Sequence, residues 1–166
     1  MTSACEASKP KPDAQTSGEM SFAAQLSLWL LRQWHWGRYG IGRPPARFWE
    51  AWQRLGDTGA GLRFDVLASL LAGRAPRPLH VLPPCALRIS ADEQAFLGLL
   101  AAWQAQSPGV TCLAARLVPY ERQGRLLHWA GSEVAQAMLV CGLDLTCLAP
   151  PPPQTRFTFA SAAKSL

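Results

Sequence analysis

The chain has 166 residues, 49% of them hydrophobic, and a formal net charge of +5. That apolar fraction excludes a wholly disordered chain, and the length fits one domain with about 130 residues available to build a core. The longest run of large apolar residues, Leu28 to Leu31, is far too short to cross a bilayer, and the N-terminal stretch lacks the apolar centre of a signal peptide, so a cytoplasmic protein without membrane contact is expected.

Residues 1–19 are rich in Ser, Lys, Pro, Ala and acids, without a periodic apolar face, and read as a disordered tail. Ser21 then caps a first helix running to Gln33 or Trp36. Phe22, Leu26, Trp29, Leu30 and Gln33 mark its principal face, and Leu28 and Leu31 widen it. So broad an apolar surface suits contacts on two sides, and Phe22, Leu26 and Leu30 are the residues expected to face a second copy if the chain forms a homodimer. The segment WGRYGIGRPP that follows holds three glycines and two prolines in ten residues and reads as a rigid turn. It superficially resembles a phosphate-binding loop but lacks the Lys-Ser/Thr pair and a preceding strand.

A second helix is expected over 45–55, burying Phe48, Trp52 and Leu55 with Trp49 alongside, and Gly56, Gly59 and Gly61 form its exit. The third covers about 62–72 through Phe64, Leu67, Leu70 and Leu71, with Gly73 as its C-cap. Residues 74–89 contain four prolines and cannot sustain a helix. They read as an extended crossover anchored by Leu79, Val81, Leu82, Leu87 and Ile89, with no partner strand for a sheet.

The most legible helix is 90–106. Ser90 and Glu93 have the spacing of a capping box, Asp92 adds negative charge at the positive end of the dipole, and Phe96, Leu99, Leu100 and Trp103 form one apolar face. Ser107–Pro108 opens another helix to Val118, and after the polar loop YERQGR a last one runs over 125–141 with Gly142 as its cap. Leu143, Leu145, Cys147 and Leu148 alternate in an extended segment. Pro150–Pro153 set a short polyproline II stem, after which Phe157 and Phe159 are free to dock on this protein or another. The sum is a single all-α domain at 20–149, about five helices in an irregular orthogonal bundle, between disordered ends at 1–19 and 150–166.

Catalytic signals are poor, with no HExxH, GxSxG, Walker or dinucleotide fingerprint. The five cysteines form no CxxC pair and read as free thiols, several of them small core residues. Cys141, Cys147 and His128 lack the spacing of a zinc site, and no metal or cofactor is expected. His80 and Cys85 are close in sequence but have no third group to orient them. Asp92 and Glu93 are explained by capping alone.

One region asks for a functional reason. Trp29, Trp34, Trp36, Trp49 and Trp52 fall inside 24 residues, interleaved with Arg32, Arg38, Arg43, Arg47 and Arg54 and joined by Tyr39 and Phe48. Trp29 and Trp52 sit on apolar faces and are expected in the core. Arginine forks carboxylates and stacks on rings, and arginine with tryptophan is the composition of interface hot spots. Trp36, Arg38, Tyr39, Arg43, Arg47 and Trp49 are therefore the candidate partner-binding residues of a non-catalytic interaction or regulatory module whose partner has an acidic surface. Nucleic acid is the second reading, weakened by a core without lysine and by a helix pair at 90–118 whose second member, GVTCLAARLV, has one arginine to read a base edge. A small-ligand protein or enzyme of unknown class is the third.

Overall fold

The computed structural model describes residues 20–148. Both expected tails, the polyproline stem and the two following phenylalanines lie outside the described residues. Within them the chain is an all-α bundle of α1 (Phe22–Ile41), α2 (Ala46–Arg54), α3 (Thr58–Arg74), α4 (Ala91–Gln104), α5 (Val110–Ala114) and α6 (Tyr120–Val140), closed by a 3-10 turn at Thr146–Leu148.

The capping box of α4 forms as its residues dictate: Ser90 Oγ accepts from the Glu93 amide, and Glu93 reaches back to the amide of Ser90. Eleven of the fourteen residues of α4 are buried. That is the signature of a central helix rather than an amphipathic surface one. It packs against α6, α5, α1 and the closing turn, while α3 lies along α6 and meets α4 through Phe64 and Phe96. Close approach of α4 and α6 depends on Gly131, where a Cβ would fall 2.3 Å from the indole of Trp103. The aromatic core continues through edge and tilted contacts among Phe48, Trp52, Phe64 and Phe96, with centroids 5.6 to 6.4 Å apart.

Several boundaries differ from the expectation. α1 does not stop near Trp36 but runs through Gly37 and Gly40 to Ile41, and the reversal is made by Gly42 alone at φ 77°. Gly37 serves packing instead, since a Cβ there would sit 2.4 Å from Pro45 Cδ as the chain folds back. α3 likewise starts earlier: the Asp57 carboxylate accepts from the Ala60 amide, and Gly59 and Gly61 become part of the helix rather than the exit of α2. At its other end α3 passes Gly73 and stops at Arg74. The expected helix to Val118 shrinks to the five residues of α5. The polar loop is a turn of helix broken from the rest of α6 at Gly124 (φ 62°, ψ 159°), where Arg74 Nη1 donates to the carbonyls of Arg122 and Gln123 at 3.2 and 2.6 Å.

The Pro-rich crossover is extended, as its composition requires, with Val81 and Ile89 buried. Leu87, expected as an anchor, is 75% exposed. Charged contacts hold the segment as well. Asp92 accepts both arms of Arg77, at 2.8 and 2.9 Å, together with the amide of His80 at 2.7 Å, and Ser90 Oγ donates to the His80 carbonyl. Glu93 accepts the amides of Leu82 and Ser90 and the guanidinium of Arg32, whose Nε lies 2.7 Å and Nη2 3.1 Å from its oxygens. Arg32 also donates to the carbonyls of Ala86 and Arg88 at 2.7 and 2.6 Å. Glu93 therefore caps its own helix and clasps the crossover against α1, while Asp92 ties the start of the crossover to α4, more than capping alone accounts for.

Candidate functional site

The structure sorts the arginines of residues 20–83 into two groups. Arg32 is 3% exposed and spent on Glu93; Arg63 lies 3.8 Å from Asp57 and 3.9 Å from Glu133; Arg74 binds carbonyls; Arg77 forks Asp92. Arg38, Arg43, Arg47 and Arg54 are exposed, and none has a carboxylate within 4.0 Å among the described residues. These four are consecutive arginines in the chain and all belong to the hairpin of α1 and α2. Within residues 20–83 the exposed arginines without a carboxylate partner among the described residues are thus all on this hairpin, while Arg88, Arg116, Arg122 and Arg125 are exposed elsewhere on the fold.

Helix geometry decides which candidates meet. Residues two apart on a helix project about 200° from one another, so Trp36 and Arg38 leave α1 on opposite sides. Trp36 is 47% exposed and turns to the crossover, where its Nε1 donates to the Leu82 carbonyl at 3.0 Å. Tyr39 is exposed one turn further, its ring tilted over His35 with centroids 4.6 Å apart. Burial lowers the His35 pKa, with the Glu93 charge opposing only in part, which favours the neutral form of the imidazole under Tyr39.

Arg38 stands one turn before Ile41 on the other side of α1. Ile41, Arg43, Pro44, Pro45, Ala46 and Trp49 enclose a depression of about 340 Å³. Trp49 is half-buried there, with its ring edge-on to Phe48 at 4.9 Å. Arg47 and Trp49 are again two positions apart, so Arg47 shares the α2 face of Ala51 and Arg54 instead. Of the six candidates, only Arg43 and Trp49 line this depression; Arg38 stands a turn before Ile41, Trp36 turns to the crossover, Tyr39 covers His35, and Arg47 lies in the first turn of α2 on another face.

Other expectations are corrected by burial. Trp52 is fully buried, but Trp29 is only half-buried and lines a shallow groove on each side of α1. Trp34 is the second large indole of the core, with Nε1 donating to Asp65 at 2.6 Å. Phe22 is 73% exposed and Leu26 half-buried, whereas Leu30 is completely buried and takes no part in an outward face. Cys85, Cys112 and Cys147 are exposed and Cys141 half-buried, so these thiols are free but not core residues.

Little in this geometry points to chemistry. Among the described residues no group of three His, Cys, Asp or Glu side chains could hold a metal ion. Burial, and then the charge of Asp57, push the Cys141 thiol up, away from the thiolate a nucleophile needs. His80 engages Asp92 and Ser90 through its backbone. Also among the described residues, no helix is long and apolar enough to cross a membrane. No protein-family model, curated protein or solved structure matches the chain.

The sequence reading missed the pairing of Arg32 with Glu93. Its signal was present: Arg32 falls four residues after Leu28, on the helical face that Leu28 and Leu31 widen. A buried arginine at such a place requires a carboxylate partner from another element.

Proposed function

We propose that this protein is a non-catalytic interaction or regulatory module that binds a protein partner with an acidic surface at the α1–α2 hairpin end. The observation that supports this reading best is the segregation of arginines: those elsewhere in the first half are engaged internally, while Arg38, Arg43, Arg47 and Arg54 remain exposed without a carboxylate partner among the described residues. Beside them the Ile41–Trp49 depression offers a seat for an apolar anchor, with Arg43 at its margin to meet a carboxylate and Arg38 one turn before Ile41 on α1. Trp36 and Tyr39 extend the aromatic surface toward the crossover.

Capture on the tagged full-length protein from its native cell lysate tests the proposal. A co-purifying protein that survives nuclease treatment and is lost on the combined change of Arg38, Arg43 and Arg47 to alanine is the expected result. Recovery of nucleic acid with a steep salt dependence would replace it with the nucleic-acid reading. Capture unaffected by the triple change would refute a role for the hairpin.

A further inference from the structure

The outer face of α1 carries a second pattern, which shares Trp36, Arg47 and Arg54 with the arginine-rich end but not its Ile41–Trp49 depression. Phe22, Leu26, Trp29, Gln33 and Trp36 follow one another at intervals of four, three, four and three residues, so they form a single stripe down the helix. All five retain exposed surface, from half-buried Leu26, Trp29 and Gln33 to Trp36 at 47% and Phe22 at 73%. A groove runs along each flank of its first half, from Phe22 to Trp29. One, of about 310 Å³, lies between the stripe and crossover residues Pro84–Leu87; the other, of about 350 Å³, lies between it and the end of α2 at Ala51, Arg54 and Leu55. A ridge with this spacing and a groove on either side is what a second helix needs in order to pack at a shallow crossing angle. The polar Gln33 within the stripe would set the register of that helix.

Charge selects the kind of helix. The twenty residues of α1 contain no aspartate or glutamate. Among the residues lining the two grooves the charged ones are Arg32, buried on Glu93, and Arg54, exposed and without a carboxylate within 4.0 Å among the described residues. Exposed Arg88 follows Leu87 at the opposite margin, and exposed Arg47 lies on the α2 face of Arg54. Glu50, one turn from Arg54 on α2, lines neither groove. A second copy would lay this acid-free stripe against itself, arginine margin facing arginine margin. We propose that the stripe is the seat of an amphipathic helix from a partner protein, apolar at the same spacing and bearing carboxylates along its margins. This site stands whether or not the hairpin end binds a partner.

Two synthetic peptides test it, both with a leucine stripe at four-three spacing, one with glutamate margins and the other with lysine margins. Each is labelled and titrated with the full-length protein by fluorescence anisotropy. The glutamate peptide is expected to bind about ten-fold or more tightly than the lysine peptide at low salt, with an affinity that falls as salt rises. Phe22→Asp or Leu87→Asp, each at a residue at least 73% exposed and so compatible with folding, weakens it by about ten-fold. Arg54→Glu removes the preference between the peptides, and Arg38→Ala with Arg43→Ala leaves it intact, which separates this site from the hairpin end. Absence of binding, equal binding of the two peptides, or affinity unchanged in both aspartate variants with their circular dichroism preserved would overturn the proposal. So would a dimer in sedimentation that Phe22→Asp dissolves, because the stripe would then be filled by a second copy.

Discussion

Glu93→Gln isolates the charge of the buried pair from the shape of the residue. Glutamine at this position still completes a capping box, so if Glu93 only capped α4 the change would cost a few tenths of a kcal/mol. In the structure, however, the carboxylate faces Arg32 at 2.7 and 3.1 Å with side-chain exposures of 0% and 3%. It also takes two backbone amides, those of Leu82 and Ser90. The glutamine amide nitrogen must point a donor at one of these donors, and the guanidinium stays charged and enclosed. Breaking a buried pair from one side costs about 3–5 kcal/mol. Against a total stability of about 5–15 kcal/mol, that is a loss easily read from urea unfolding followed by circular dichroism, provided the slope of the transition is unchanged. Exchange of the Leu82 and Ser90 amides should rise together. A loss below about 1 kcal/mol, the range of exposed ion pairs, would refute the claim that the clasp is desolvated and structural. Replacing both partners at once, Arg32→Met with Glu93→Leu, should not restore stability. Unlike a simple ion pair, this one also satisfies the carbonyls of Ala86 and Arg88 and the amides of Leu82 and Ser90.

Three further outcomes follow from named positions. Gly40→Ala should stabilise the protein by about 0.5–1 kcal/mol, because Gly40 lies inside α1 with nothing within 4 Å of an added Cβ, whereas Gly37→Ala should destabilise it against Pro45; thermal melts of both variants check the pair, and a loss at Gly40 would mean that α1 ends earlier. Gly131→Ala should cost about 1–3 kcal/mol through its collision with Trp103, and part of that loss should return when Trp103→Phe is added, as a double-mutant cycle in urea would measure. Burial pushes the Asp92 carboxyl up, but Arg77, the His80 amide and the neighbouring charges together bring it below its ordinary value. A pKa lower in the folded state than in the unfolded one gives stability that is present above the unfolded value and is lost as pH falls through the folded one. Unfolding free energies from neutral to strongly acidic pH should therefore fall less steeply in Asp92→Asn than in the parent, and equal slopes would contradict the assignment.

The helices could be read from the sequence wherever a local signal and the buried face coincide. α4 is the clearest case, since the Ser90–Glu93 spacing and the apolar run specify the same start. Helix ends marked by glycine were less legible for a physical reason. Gly37, Gly40, Gly59, Gly61 and Gly73 all lie within helices, and only tertiary neighbours distinguish a glycine that turns the chain from one that makes room. Gly61 makes room: a Cβ there would be 2.8 Å from Trp52 Cδ1. The clasp of the crossover was invisible because its members, Arg32, Arg77, Asp92 and Glu93, are up to 61 positions apart and each has a sufficient local explanation. The concentration of arginine and tryptophan did mark a hairpin that carries four exposed cations. It could not say that Arg32 and Trp34 point inward or that Trp36 and Arg38 part company, since those are facts of helix phase once α1 is known to continue to Ile41.

The most direct test of the functional account is hydrogen exchange on the full-length protein, free and saturated with the protein partner that capture yields. New protection at residues 38–49, the end of α1 through the first turn of α2, with protection lost when Arg38, Arg43 and Arg47 are changed to alanine, is the predicted result. Protection confined to α6 or α3 with the hairpin unchanged would contradict it.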